Sequence, residues 1–230
     1  MNSKRVAVIA GVGETLGLAL CQKFLSEGFL VAGLSRSAKG LPELGDNYLP
    51  VSCDITDVNS VNEAITKIET TLGSVSTYIH NAAYLLNRDF LETKETDFSE
   101  IWKVCCLGAF NGTQRVLPSM LERKEGTILV SGATASIKAG AKFSAFASAK
   151  FALRGLTQSL AREYSPAGIH IAHIVLDGAI WGKQAELQFA KKESECLSPL
   201  AIAETYYYLD QQQCSGWTHE VDLRTNNEIF

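Results

Sequence analysis

The sequence predicts a doubly wound α/β domain, a parallel sheet of about seven strands with helices on both faces. Two observations lead there. Short apolar runs without alternation recur along the 230 residues, and segments of helical periodicity separate them. A strand that is apolar at every position has both faces covered, which is what helices crossing over a parallel sheet produce. The second observation is a glycine-rich turn placed between the first such run and the first helical segment, where folds of this class bind ligands.

In chain order the runs are Val6 to Ala10, Phe29 to Leu34, Tyr48 to Ser52, Val75 to His80, Thr127 to Ser131, Ile169 to Leu176 and Trp217 to Leu223. Between the first two, residues 14–27 place Leu16, Ala19, Leu20 and Phe24 on one helical face, and Gly28 follows as a stop. Asp57 is the expected N-cap of a helix over 58–72, where Val58, Val61, Ile65, Ile68 and Leu72 keep helical spacing until Gly73. Two longer helices are expected over 97–124 and 144–165; Gly126 follows the first, and Pro166 with Gly168 the second. The run Tyr206, Tyr207, Tyr208 in a late helix is too dense for one buried face, so at least one ring should be exposed or in a subunit contact. Residues 181–198, polar and charged with Pro199 after them, read as an irregular excursion over the sheet edge. With no internal repeat, low-complexity segment or linker, residues 1–230 are expected to form a single domain.

Composition narrows the function. With 46% hydrophobic and 20% charged residues the chain can bury a sizeable core. Its 21 Lys plus Arg against 25 Asp plus Glu leave a net charge of -4, with no basic excess for nucleic acid or an anionic membrane surface. The six cysteines (Cys21, Cys53, Cys105, Cys106, Cys196, Cys214) show neither C-x-x-C spacing nor a dense disulfide framework. No apolar stretch approaches the roughly 18 residues that span a bilayer, and MNSKRVAVIAG passes from two charges straight into a strand. A reduced, cytoplasmic protein is the expectation. His170 and His173 flank the sixth strand without a third ligand nearby, so no metal site is predicted.

The first strand runs into Gly11-Val12-Gly13-Glu14-Thr15-Leu16-Gly17, immediately before a helix. Glycines here let the backbone turn tightly and approach a pyrophosphate, which the helix N-terminus holds through free N–H groups and its dipole. Gly11, Gly13, Thr15, Leu16 and Gly17 are therefore candidate cofactor contacts. After the second strand, an NAD-selective site would offer a carboxylate to the ribose 2'-hydroxyl. This chain offers Ser35 and Arg36, a hydroxyl and a guanidinium suited to a 2'-phosphate, which favours NADP(H) over NAD(H).

Further motifs make a resemblance specific. Gly11 with Gly17, Cys53-Asp54-Ile55, His80-Asn81-Ala82-Ala83, Ala149-Lys150 and the ending Gly216-Trp217-Thr218-His219-Glu220-Val221-Asp222-Leu223 follow a known order and spacing. In these motifs the chain resembles the short-chain dehydrogenase/reductase family, of Rossmann-type fold, over essentially its whole length. The resemblance implies that Asp54 holds the adenine amine and Ile55 packs on the ring. It implies that Asn81, Ala82 and Ala83 line the ribose and support the sheet centre, and that Gly178 and the backbone of Ile180 hold the nicotinamide carboxamide. It also implies a homodimer or homotetramer paired through the helices at 97–124 and 144–165. Ala83 and Thr15 stand where the family usually has glycine, and Asp177 where it has proline.

The same resemblance implies a proton relay of tyrosine, lysine, serine and asparagine acting on a small carbonyl or hydroxyl substrate. Lys150 is present and would also hold the ribose. Four residues before it stands Phe146, whose ring has no titratable hydroxyl. The serine position falls on Ala133, and a one-residue loop shift would bring either Ser131 or Thr134 into that role; the asparagine aligns with Cys105. The substrate would sit over Phe146, between residues 131–144 and the 181–198 excursion. Two readings stay open: a reductase whose proton comes from Lys150, Ser148, Thr134, Tyr84 or water, and a non-catalytic NADP(H)-binding or scaffold protein. Cys105 and Cys106, among Val104, Leu107 and Phe110, read as core thiols, His80 as a hydrogen-bonded structural residue, and Asp177 as a group that orients Lys150 or substrate, or caps a turn.

Overall fold

In the computed structural model, which describes residues 4–37 and 43–227, the first strand is β1 (Val6–Ala10), every residue of it buried. Its side chains alternate between two apolar clusters: Val6, Val8 and Ala10 join one, Ala7 and Ile9 the other. That is how an unalternated apolar run is accommodated by a sheet covered on both faces. Six further strands follow: β2 (Leu30–Ser35), β3 (Tyr48–Ser52), β4 (Val75–His80), β5 (Gly126–Ser131), β6 (Ile169–Asp177) and β7 (Glu220–Arg224). All pair in parallel in the order β3-β2-β1-β4-β5-β6-β7. The order reverses between β1 and β4, and their C-terminal ends open the crevice where ligands bind in such sheets.

Helices α1 (Leu16–Ser26) and α7 (Pro199–Asp210) cover one face; α2 (Val58–Leu72), α4 (Gly108–Arg123) and α5 (Ser144–Tyr164) cover the other. Asp57 caps α2 as expected, its carboxylate accepting from Asn59 N at 2.9 Å. Of the tyrosine run on α7, Tyr206 is fully buried and Tyr208 is 67% exposed.

Three expectations need correction. The helix expected over 97–124 ends where expected, in left-handed Lys124, but it begins at Glu95 and is α3 (Glu95–Trp102), a π turn (Lys103–Leu107) and α4 rather than one continuous helix. Gly126 opens β5, backed by the Met120 side chain. Trp217 lies outside β7: its ring stacks on His170 with centroids 5.0 Å apart and its indole N–H donates to Gln212 O, which ties it to the preceding loop. The excursion at 181–198 contains a short helix, α6 (Lys183–Phe189), and is pinned at its base by Leu197 N to Ala179 O and Trp181 N to Leu197 O at 2.8 and 2.9 Å. No helix of the described residues is long and apolar enough to cross a membrane.

Candidate active site

The glycine-rich turn is held from both sides. Gly11 N and Val12 N both donate to Leu34 O at 3.0 Å, and Asn81 Nδ2 donates to Gly11 O at 3.0 Å. Gly11 has φ +93°, and a Cβ there would lie 2.5 Å from the Ala82 backbone, so only glycine fits where β1 and β4 come this close. Gly17 packs the start of α1 on the turn, Leu16 is buried beneath it, and Gly13 faces open space. Thr15 makes no side-chain cap and the first turn of α1 carries no acid; Leu18 N–H is spent on Gly13 O at 3.1 Å, so the Leu16 and Gly17 N–H groups and the positive dipole end are what the turn offers an anion. These features fit a pyrophosphate.

Ser35 ends β2, half-buried, and Arg36 beside it is exposed. Asp54 lies close enough for Arg36 to help hold its carboxyl below the usual range, after the larger contributions of the hydroxyl and N–H of Thr56, which reach it at 2.7 and 2.9 Å. Ile55 is buried under α4, its carbonyl accepting from Asn111 Nδ2. Asn81 is the central tie: its Nδ2 donates to Gly11 O and its Oδ1 accepts from Ser131 Oγ at 3.0 Å, linking β1, β4 and β5. Ala82 and Ala83 continue from it, half-buried and exposed. Gly178 and Ile180 lie past the end of β6, where the Ile180–Leu197 bridge closes the excursion.

Lys150 is the polar centre. It is 2% exposed, and its Nζ donates to the Ser131 carbonyl at 2.7 Å and lies 5.6 Å from the Phe146 ring centroid. Burial pushes its pKa below the usual lysine value. Phe146, Ala133 and Cys105, which the resemblance sets at the phenol, serine and amide positions, belong to one apolar cluster with Ile101, Ala135 and Phe143. Cys105 is fully buried inside the π turn, as a core thiol.

The hydroxyls near Lys150 are engaged elsewhere. The Ser131 hydroxyl, which was one candidate for the serine role, bonds Asn81 and the Tyr206 hydroxyl of α7 (2.7 Å), on the sheet face opposite the one that α5 covers. Thr134 donates to Asp177 at 2.6 Å, and Ser148 to Ser144 O at 2.7 Å. Asp177, fully buried, therefore orients Thr134 rather than Lys150, and Arg224 (3.1 Å) and Lys138 (3.9 Å) balance its charge. Tyr84 is 39% exposed.

His80 and His173 are fully buried; the His80 ring interacts with the Val104 and Cys105 main chain of the π turn, in line with a structural role, whereas the His173 ring has no hydrogen-bond partner among the described residues. Burial, with the charge of Lys150 adding to it, pushes them down to about 3 and about 4. Sequence reasoning did not single out the setting of His173; its register with Val130 of β5 and Glu220 of β7 is a tertiary fact. Among the described residues no group of three metal-ligating side chains occurs.

The sheet, with the glycine-rich turn at its switch point, is a doubly wound α/β domain of Rossmann type. A family model for short chain dehydrogenase matches residues 5–180. The chain is 31% identical over 176 residues to the 3-oxoacyl-[acyl-carrier-protein] reductase MabA of Mycobacterium avium, covering 76% of this chain and 67% of that one. It is 33% identical over 176 residues to 2-(R)-hydroxypropyl-CoM dehydrogenase of Xanthobacter autotrophicus, covering 72% and 70%. The solved structure of a short-chain dehydrogenase from Rhodopseudomonas palustris superposes with a TM-score of 0.82 at 30% identity, covering 96% of this chain and 98% of that one. The chain belongs to the short-chain dehydrogenase family, a family of oxidoreductases.

Proposed function

We propose that the protein is an NADP(H)-dependent oxidoreductase acting on a small carbonyl or hydroxyl substrate, with Lys150 in place of a tyrosine as the group that carries the proton. The observation behind this reading is a buried lysine with no carboxylate bonded to it, four residues after a phenylalanine, holding the main chain at the C-terminal end of β5. An ammonium without a counter-charge is costly to bury, and such groups persist where they serve a site.

The turn from Gly11 to Gly17, with Leu16 and the open N–H groups of α1, would hold the pyrophosphate, and Ser35 with Arg36 the 2'-phosphate. Asp54 and Ile55 would flank the adenine, Asn81 to Ala83 the ribose, and Gly178 with Ile180 the carboxamide. When bound, the cofactor supplies or accepts the hydride. Lys150 does the acid–base work: one of its three N–H groups is spent on Ser131 O, leaving two for a ribose hydroxyl and a substrate oxygen. Its lowered pKa brings the ammonium nearer to working pH, which makes it a better acid than a free lysine. Phe146 supplies a ring against which the substrate packs, and its missing hydroxyl accounts for the need of another donor. Thr134 would have to release Asp177 to donate, and the Ser131 hydroxyl serves Asn81 and Tyr206, so both act by positioning.

One observation favours a second reading, a non-catalytic NADP(H)-binding protein: Ala133, Phe146 and Cys105 form an apolar cluster where the family's chemistry would sit. Thermal shift with NADPH and with NADH, followed by loss of NADPH absorbance across a carbonyl panel, separates the two. Preferential NADPH binding with turnover supports the oxidoreductase. Tight binding with turnover of no carbonyl supports the binding protein, and binding of neither nucleotide removes both readings.

A further inference from the structure

The 181–198 excursion does more than cross the sheet edge. Gly182 packs directly on Thr15, so closely that a Cβ at Gly182 would lie 2.9 Å from the Thr15 hydroxyl. The next residue, Lys183, reaches Glu14 with 3.4 Å between Nζ and Oε2, and both side chains are 82% exposed. The excursion thus places a cation over the turn whose N–H groups are open to an anion, and the carboxylate it meets is part of that turn. Glu14, Thr15, Leu18, Trp181, Gly182 and Lys183 line a cavity of about 570 Å³ at this junction. An exposed ion pair is worth little by itself, ~0–1 kcal/mol, because water screens it, so exchange to another anion costs little.

We propose that Lys183 is a cofactor-binding residue: with NADP(H) in the turn its ammonium leaves Glu14 for the pyrophosphate, and the excursion is held over the cofactor. This deepens the reading of the turn as an NADP(H) site and rests on it. Glu14, an anion beside a doubly charged pyrophosphate, opposes binding, and Lys183 both neutralises it and supplies the opposite charge. A lysine suits the task, since a point charge on a flexible stem can swing between two anions.

The test is nucleotide affinity by titration calorimetry, on the wild-type chain, Lys183→Met, Lys183→Arg and Glu14→Gln. Two probes are used: NADPH, and adenosine 2'-monophosphate, which carries the 2'-phosphate but no pyrophosphate. Lys183→Met should weaken NADPH about tenfold and leave adenosine 2'-monophosphate within about twofold, and Lys183→Arg should restore most of the NADPH affinity. Glu14→Gln should tighten NADPH by about two- to fivefold, since the competing carboxylate is gone. In the wild type, NADPH should protect the peptide bonds after Lys183 and Lys191 from trypsin. Unchanged NADPH affinity in Lys183→Met overturns the proposal, as does equal weakening of both probes. A wild-type chain that binds neither probe overturns the underlying NADP(H) reading instead.

Discussion

Lys150 Nζ donates to the main-chain carbonyl of Ser131 at 2.7 Å, so the lysine grips the backbone at the end of β5 while the serine's own hydroxyl bonds Asn81 and Tyr206. The ammonium is thereby fixed at the crevice without a carboxylate bonded to it. What it does there can be tested directly.

Lys150→Met should weaken NADPH at least tenfold and raise the melting temperature, because the variant keeps the stem and removes a buried charge. The sign with pH follows from the lowered pKa. The folded chain binds this proton less readily than the unfolded one, so its contribution makes stability rise as pH climbs toward 10.5. Denaturant melts of both chains between neutral pH and pH 10 check this; the variant should show the flatter rise.

Phe146→Tyr should install a phenol near the ammonium, whose charge favours the phenolate. Carbonyl reduction with NADPH should increase by roughly 10²-fold or more, within the range that a positioned acid contributes. No gain with cofactor affinity intact would show that the Ala133 and Cys105 positions must change as well.

Arg36→Ala should cost NADPH at least tenfold in affinity and leave NADH within about twofold, because in the proposed site the guanidinium would meet only the 2'-phosphate. Paired titrations decide it, and equal weakening of the two would refute the assignment.

Stability should fall in acid through the buried histidines. His173 is neutral in the fold, pushed from 6.5 to about 4 chiefly by burial, with Lys150 next and Glu220, Arg154 and His219 also facing it. Its contribution is complete above pH 6.5 and is lost as pH falls toward 4, a loss of ~3 kcal/mol at this site. His173→Leu should remove that share of the acid sensitivity in denaturant melts at pH 7 and pH 4.5, while His80 keeps its own.

Much of this molecule was legible in its residues. The short runs marked β1, β3 and β4 to the residue; β1 is buried and apolar at every position, as a strand covered on both faces requires, β4 is buried at all but Ser76, and the edge strand β3 only at Tyr48 and Val51. Asp57 announced α2 because a cap is a local hydrogen bond. The glycine-rich turn, Arg36 after β2 and Lys150 four residues past Phe146 were also readable, since local backbone demands and spacing carry that information.

The tertiary structure decided which groups meet. Ser131 and Thr134 were equal candidates in the sequence, and the fold sends one hydroxyl to Tyr206, 75 positions away, and the other to Asp177, 43 positions away. It places the Ala133, Phe146 and Cys105 side chains in one apolar cluster, lays Lys183 against Glu14 across 169 positions and buries His173 without a partner. Local preference acts within a few residues, whereas the donors and charges of this site are matched across strands and helices that only packing brings together.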